Sequence, residues 1–378
     1  MLDCKMRVLL VAPYPDPRWL SMERYADSLS LGAAGATFAR AYGSYFRPSR
    51  AIGWALPMYR GRPALQRSQA EGCELVHIVD HALAHHRPLF SGWPTVTTCH
   101  DLIPLQARGA GTASLSAGVR KRLYLRSTES LRRAPAIIAV SAATKDALTA
   151  VLGVDAAIVD VVPVAIPNEF LPIEGAEAQL AHNGVVLPPR PRVLSIGHAN
   201  RTKNLELLIE AMANPALAGA VLVRVGRPLR PSQLARVHQL GLARRVVELG
   251  QVSHDVLLAL YSACDVLAQP SWLEGFGIPV AEAQACGLPV VCSDGGSLPE
   301  VAGSAARVVP LGGALGAPVD AITAGRFALA LAEVIDDAAL AARMRALGFE
   351  HVKQFRPAAV APQLLASYER ALNRWQSR

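Results

Sequence analysis

The sequence is poor in cysteine and in charge, and each shortage excludes something. Its six cysteines in 378 residues (Cys4, Cys73, Cys99, Cys264, Cys286, Cys292) are dispersed with no paired spacing. That excludes a disulfide scaffold and a zinc ribbon, and predicts reduced cysteines in apolar strands and helices. No apolar run approaches the length needed to span a bilayer, and MLDCKMRVLLVAPY has too short an apolar core for a signal peptide. The opening segment therefore reads as a first strand and the protein as cytoplasmic. Charged residues make up only 18%, against 51% hydrophobic. A chain of this size and polarity buries substantial cores and is long for one domain, which predicts two.

Lysine is scarce too, with five lysines beside thirty-three arginines, and the net charge of +8 is unevenly spread. Residues 1–168 hold 19 Lys/Arg against 12 Asp/Glu, and residues 169–378 hold 19 against 18. The excess lies in Arg40, Arg47, Arg50, Arg60, Arg62 and Arg67, then in the helical run VRKRLYLRSTESLRR with Arg120, Lys121, Arg122, Arg126, Arg132 and Arg133. Val119, Leu123, Tyr124 and Leu131 are interleaved. A surface that touches an anionic membrane and a solvated helix face both fit this pattern. No nucleic-acid motif accompanies the charge.

Strand-like runs at 7–12, 75–79, 94–99, 136–140 and 158–162 alternate with helical stretches, and a second set follows at 193–196, 221–225, 246–249, 266–269 and 289–293. Two successive doubly wound domains are implied. Pro167 to Pro191 is rich in Pro, Gly, Asn and Ala and carries no clear strand. The expected division is a domain at 1–168, a linker at 169–190, a domain at 191–354 and a terminal helix at 355–378. In such sheets ligands bind beyond the carboxyl ends of the strands, so the cleft between the domains is the expected site.

The most informative stretch is EGFGIPVAE, Glu274 to Glu282. Its two carboxylates stand eight residues apart where a proline-closed strand hands over to a helix. A helix beginning near Gly277 offers N–H groups and its positive dipole end to a phosphate. Gly275 and Gly277 let a ligand approach the backbone. Carboxylates bracketing a phosphate seat suit a nucleoside diphosphate sugar, whose sugar and ribose hydroxyls they accept. A helix-start Glu is also an ordinary dipole partner, and the spacing alone does not decide.

The text around that stretch, from Asp265 to Gly303 and including CGLPVVCSDGGSLPEVAG, resembles the signature region of the retaining glycosyltransferases of family 4. The resemblance implies a GT-B fold: an α/β protein of two doubly wound Rossmann-like domains facing a cleft, with the C-terminal helix crossing back to the N-terminal domain. It implies that Glu274 contacts the donor sugar, that Ser271 and the backbone from Gly275 through Phe276 and Gly277 to Ile278 line sugar and phosphate, and that Glu282 holds the ribose. After the first strand of the second domain, Gly197-His198-Ala199-Asn200-Arg201-Thr202-Lys203 places Lys203 where the family has its phosphate lysine. The family's arginine is displaced, which leaves Arg201 and His198 as alternatives for its role. Nucleotide-base contacts are expected near Gly250-Gln251-Val252.

In the first domain, PTVTTCHDLIP is a buried strand delivering His100 and Asp101. The resemblance implies that His100 faces the donor sugar, orienting it or stabilising developing charge, with Asp101 as its orienter or an acceptor contact. His81 and His85 share a face if helical, which raises a metal site. The family needs no metal or cofactor for chemistry, so Asp80 and His81 are assigned to the acceptor side. Trp19 and Met22 stand where many members have a Gly-Gly pair, and they alter that side. The implied function is transfer of a sugar, with GDP-mannose favoured over UDP-glucose and other UDP-sugars, to a glycan or polyprenyl-diphosphate-linked acceptor in polysaccharide assembly at the inner membrane face. Whether Glu274 is a nucleophile or the reaction runs on the front face stays open. The rival is a non-catalytic scaffold of the same fold that binds nucleotide or glycan.

Overall fold

The computed structural model describes residues 5–13, 25–29, 35–43, 67–106, 119–313 and 315–377. They divide into two compact units. Of the described residues, the first takes those up to Gln106, then 119–167 and 355–377, and the second those from Asn168 to Gln354. Trp19, Met22, Arg47, Arg50, Arg60 and Arg62 lie outside the described residues.

The first unit is built on β1 (Met6–Pro13), β2 (Ala36–Gly43), β3 (Leu75–Ile78), β4 (Thr95–Cys99), β5 (Ile137–Ala139) and β6 (Val159–Val161). They form one parallel sheet in the order β2-β1-β3-β4-β5-β6. Val8 to Val11 are fully buried, the continuous apolar run that a parallel strand covered on both faces requires. Helices α1 (Val119–Arg132) and α2 (Ala142–Leu152) flank it. The α2 helix starts where Ser141 Oγ accepts the Thr144 N–H at 3.0 Å and stops at left-handed Gly153. In α1, Tyr124 and Leu131 are buried. Those two of the apolar residues interleaved with the arginines thus pack inward and are not available to a membrane.

The second unit carries α3 (Ala176–His182), β7 (Arg192–Ile196), α4 (Leu205–Met212), β8 (Val221–Val225), α5 (Pro231–Gln239), β9 (Val246–Glu248), α6 (His254–Ala263), β10 (Val266–Gln269), α7 (Ile278–Ala285), β11 (Val290–Ser293), β12 (Ala306–Val309), α8 (Ala321–Asp336) and α9 (Ala338–His351). Its parallel sheet has the order β12-β11-β10-β7-β8-β9. Strand order reverses at β7, which pairs with β8 on one side and β10 on the other. In open α/β sheets that reversal opens a crevice beyond the strand ends, where ligands bind. Leu208, Leu222, Phe327 and Leu331 meet in the core that α4 and α8 share with the sheet. Burying a side chain such as Phe327 contributes about 1.5–3 kcal/mol.

Residues 169–190, expected as a linker, are packed into the second unit. Phe170 is buried against Tyr261, Ile173 N–H donates to Ser262 Oγ at 2.9 Å, and α3 lies on α6. The last helix, α10 (Pro357–Gln376), belongs to the first unit although it follows the second in sequence. Fully buried Tyr368 donates or accepts at His77 Nδ1 (2.8 Å), while Ser367 and Arg370 bond Asp160 on β6 at 2.9 and 3.0 Å.

Candidate active site

The carboxyl ends of β7 and β10 bring Lys203 and Glu274 together, with Lys203 Nζ 2.6 Å from Glu274 Oε1. Local sequence explains the reach. The Asn200 side chain accepts the Lys203 N–H at 3.2 Å and caps a tight turn at Arg201–Lys203, and left-handed Asn204 ends it. Trp272, two residues before Glu274, donates its N–H to Thr202 O at 2.8 Å and ties the two loops together. The Glu274 backbone bridges to Gly296, and its carbonyl accepts from Ser297 N–H and Oγ, both at 3.2 Å.

Glu274 Oε1 accepts two more bonds, from Gln269 Nε2 at 2.7 Å and Ser271 Oγ at 2.6 Å. Gln269 and Ser271 are themselves 3.0 Å apart. The Glu274 side chain is 10% exposed and that of Lys203 20%. Three donors on one oxygen fix the carboxylate and withdraw charge from that atom. Ser271 is one of the residues that the resemblance assigns to the sugar and phosphate. Gln269 was missed, because a Gln closing an apolar strand looks like a strand end and its partner lies five residues away around a turn.

Behind Lys203 stands a group of positive charge. Gly197 closes β7, and a side chain there would press on the Lys203 stem, with a Cβ 3.3 Å from Cε. At Gly226, φ is +120° and a Cβ would sit 2.3 Å from Gly197 O, so only glycine lets the β7 and β8 loops meet. Arg224, buried at the end of β8, donates through Nη2 to Gly197 O (3.2 Å) and Arg227 O (3.0 Å). Its Nε and Nη1 have no partner among the described residues. Burial pushes the guanidinium down to about 10. His198 is half-buried, its Nδ1 without a partner among the described residues, and burial, then Arg227, Lys203 and Arg224, hold its ring below the ordinary value. Neither Arg224 nor Arg227 was singled out from the sequence. The signal was there: an arginine inside the apolar run VLVRV, followed by Gly-Arg. Gly250, on the loop leading to half-buried Val252, accepts the Gly226 N–H at 2.7 Å.

Arg201 is not part of this group in the same sense. It lines a separate cavity with Asn204, Arg230, Gln233 and Trp272, to which neither Lys203 nor Glu274 contributes. Of the two alternatives left open for the displaced arginine, His198 feels the charge of Lys203, and Arg201 shares its turn.

Glu282 is buried on α7, where Tyr261 Oη donates to its Oε2 at 2.6 Å. The helix begins at Ile278, one residue after left-handed Gly277 (φ +89°), where a Cβ would lie 2.8 Å from Leu298 Cδ2. Pro279 in the first turn removes one N–H, so the helix start presents fewer donors than a generic N-terminus. Phe276 beside it is buried.

The first unit holds its own polar group. His100 Nε2 lies 2.8 Å from Val79 O, and Tyr25 packs edge-on to its ring at 4.6 Å. Since a carbonyl only accepts, Nε2 carries the proton and Nδ1 is the lone-pair nitrogen. Burial, the largest cause, holds the ring below the ordinary value and keeps it neutral. The orienting partner is therefore the Val79 carbonyl and not Asp101, whose Oδ1 accepts the Ile103 N–H at 3.0 Å. Asp80 Oδ1 accepts the Ala82 N–H at 2.8 Å and caps the turn at His81–Phe90. His81 is buried, 3.5 Å from Asp80 and edge-on to Tyr124. His85 bonds Ser127 Oγ at 2.8 Å. Among the described residues no group of three or more His, Cys, Asp or Glu is placed to hold a metal ion.

Residues 183–351 match the family described as glycosyl transferases group 1, and residues 7–170 match glycosyltransferase family 4. The chain belongs to glycosyltransferase family 4. Its curated relatives include the D-inositol 3-phosphate glycosyltransferase of Mycolicibacterium smegmatis, 30% identical over 296 residues, which are 75% of this chain and 64% of that protein. The serotype-specific mannosyltransferase WbdA of Escherichia coli is 32% identical over 221 residues, 56% of this chain and 26% of WbdA. The chain thus spans less than two thirds of the length of either relative. Among solved structures, sucrose-phosphate synthase from Thermosynechococcus elongatus superposes with a TM-score of 0.75 at 22% identity, covering 97% of this chain and 99% of that one. That likeness shows the fold of this family 4 member to be GT-B.

Proposed function

We propose that the chain is a retaining glycosyltransferase that moves a mannosyl group from GDP-mannose to a hydroxyl of a glycan or a polyprenyl-diphosphate-linked acceptor, in the cytoplasm. The observation that carries this is the Lys203–Glu274 pair at the strand-order reversal, backed by His198, Arg224 and Arg227. A diphosphate is the ligand whose charge such a group neutralises, and charge on it grows as the glycosidic bond breaks. Preorganised cations there supply several kcal/mol to the departing diphosphate. The mannosyl preference is supported by the likeness to WbdA, and the acceptor class by the basic first half of the chain.

In this scheme an arriving diphosphate draws Lys203 from Glu274, and the carboxylate turns to the sugar hydroxyls while Gln269 and Ser271 keep it in place. Neutral His100 contributes as an acceptor for a sugar hydroxyl through Nδ1, not as a cation. Glu282, held by Tyr261, is the carboxylate offered to the ribose.

Calorimetric titration with GDP, UDP and their sugars tests the proposal, followed by Lys203→Ala and by turnover of Glu274→Ala. Tight binding of GDP and GDP-mannose, abolished by Lys203→Ala, with turnover lost but nucleotide binding kept in Glu274→Ala, is the expected outcome. Preference for a UDP-sugar would replace the mannosyl donor. Binding with no turnover in the native chain would leave the scaffold.

A further inference from the structure

On the other side of the Arg201–Lys203 turn lies a cavity of about 490 Å³, within the size range of small-molecule pockets. Its wall is of two kinds. Ile209, Trp272, Pro318 and Val319 make an apolar side. Facing residues come from the starts of α4 and α5, where Asn204, Arg230 and Gln233 line the space. Asn204 is 2% exposed and Gln233 1%. Asn204 Nδ2, Gln233 Nε2 and Arg230 Nε are all buried donors with no partner among the described residues.

Leaving buried donors unmade costs about 1–3 kcal/mol each, and the three residues that carry them all line this cavity. Every unmet group is an N–H, so the complement is an oxygen-rich acceptor. Two helix N-termini meet the same space and favour negative charge. Arg201, Arg230 and Arg236 stand against Glu206 and Glu210, so the wall carries one cation more than carboxylates. Glu206 is paired with Arg230, and Glu210 with Arg236 at 2.5 and 2.9 Å, so each pair is neutral and the net charge is that of Arg201.

We propose that this cavity is a second ligand site, separate from the Lys203–Glu274 group, that takes a phosphorylated monosaccharide. Its phosphate meets Asn204, Gln233 and Arg230, and its ring lies on the apolar wall beside Trp272. The Trp272 N–H to Thr202 carbonyl bond joins that wall to the turn bearing Lys203.

The test is calorimetry on the full chain with mannose 6-phosphate, inorganic phosphate and mannose as probes. Asn204→Gly keeps the left-handed backbone and removes the amide, and Gln233→Met keeps volume and removes the donor. Thermal melting confirms that each variant folds. The expected result is saturable binding of the sugar phosphate, tighter than phosphate or mannose, weakened about tenfold or more by either variant and unchanged in Lys203→Ala. No binding at millimolar concentration overturns the proposal. So does binding lost in Lys203→Ala, which would place the ligand in the donor group, or phosphate binding as tightly as the sugar phosphate. Because the readout is direct binding, it stands apart from the identity of the nucleotide donor.

Discussion

A single oxygen, Glu274 Oε1, collects three hydrogen bonds, and the residues that supply them have separable jobs. Lys203 can leave for a phosphate, whereas Gln269 and Ser271 are also bonded to each other and stay. Gln269→Leu with Ser271→Ala removes two bonds to a charged group, each worth about 1.5–3 kcal/mol. We expect kcat to fall about tenfold to a hundredfold with little change in KM for the nucleotide sugar, measured by steady-state kinetics; a change confined to KM would assign the pair to ground-state binding. Lys203→Ala leaves a carboxylate that is 10% exposed without its cation. Chemical denaturation should show it destabilised by about 1–3 kcal/mol, an effect that saturating nucleotide cannot restore.

At the scale of elements, the central strands were legible because each is a short apolar run bounded by turn residues. β2 and β12 were not. ATFARAYG mixes arginine with small residues, and ARVV is only four residues long. Both are edge strands, covered on fewer sides, so neither needs the continuous apolar run that marks β1 or β7. The loop glycines and the two site carboxylates were legible for the opposite reason: special backbone geometry and chemistry restrict residue choice. The pairing of His100 with Val79, and of Gln269 with Glu274, was hidden because a hydrogen bond to a carbonyl or between loop residues leaves no period in the sequence. The α7 start gives an element-scale prediction. Gly277→Ala forces a Cβ onto Leu298 at positive φ. It should cost about 1–3 kcal/mol in denaturant titration, and more than Gly325→Ala, which meets nothing within 4 Å.

For the whole molecule, the group joining α10 to the first sheet sets an acid limit. His77 is fully buried between Thr98 Oγ1 (2.7 Å) and Tyr368 Oη (2.8 Å), and burial, with the neighbouring His100 a lesser cause, pushes its ring down from 6.5 to about 3. The folded state therefore binds this proton less readily than the unfolded chain. Stability from this group is complete above about pH 6.5 and is lost as pH falls toward 3, by about 2 kcal/mol at pH 5. Urea titrations at pH 7.5 and 5 should show that loss, and His77→Gln should reduce it; an equal loss in the variant would place the effect elsewhere. Tyr368 carries a further consequence, for synthesis. The ribosome delivers β1 to β6 early, then the whole second unit, and only afterwards the helix that covers His77. The first unit to be made is thus the last to be finished, and while the second unit is being translated its sheet waits with an open apolar seat. A premature stop within α10 would leave the second unit intact and injure the one encoded some two hundred codons upstream.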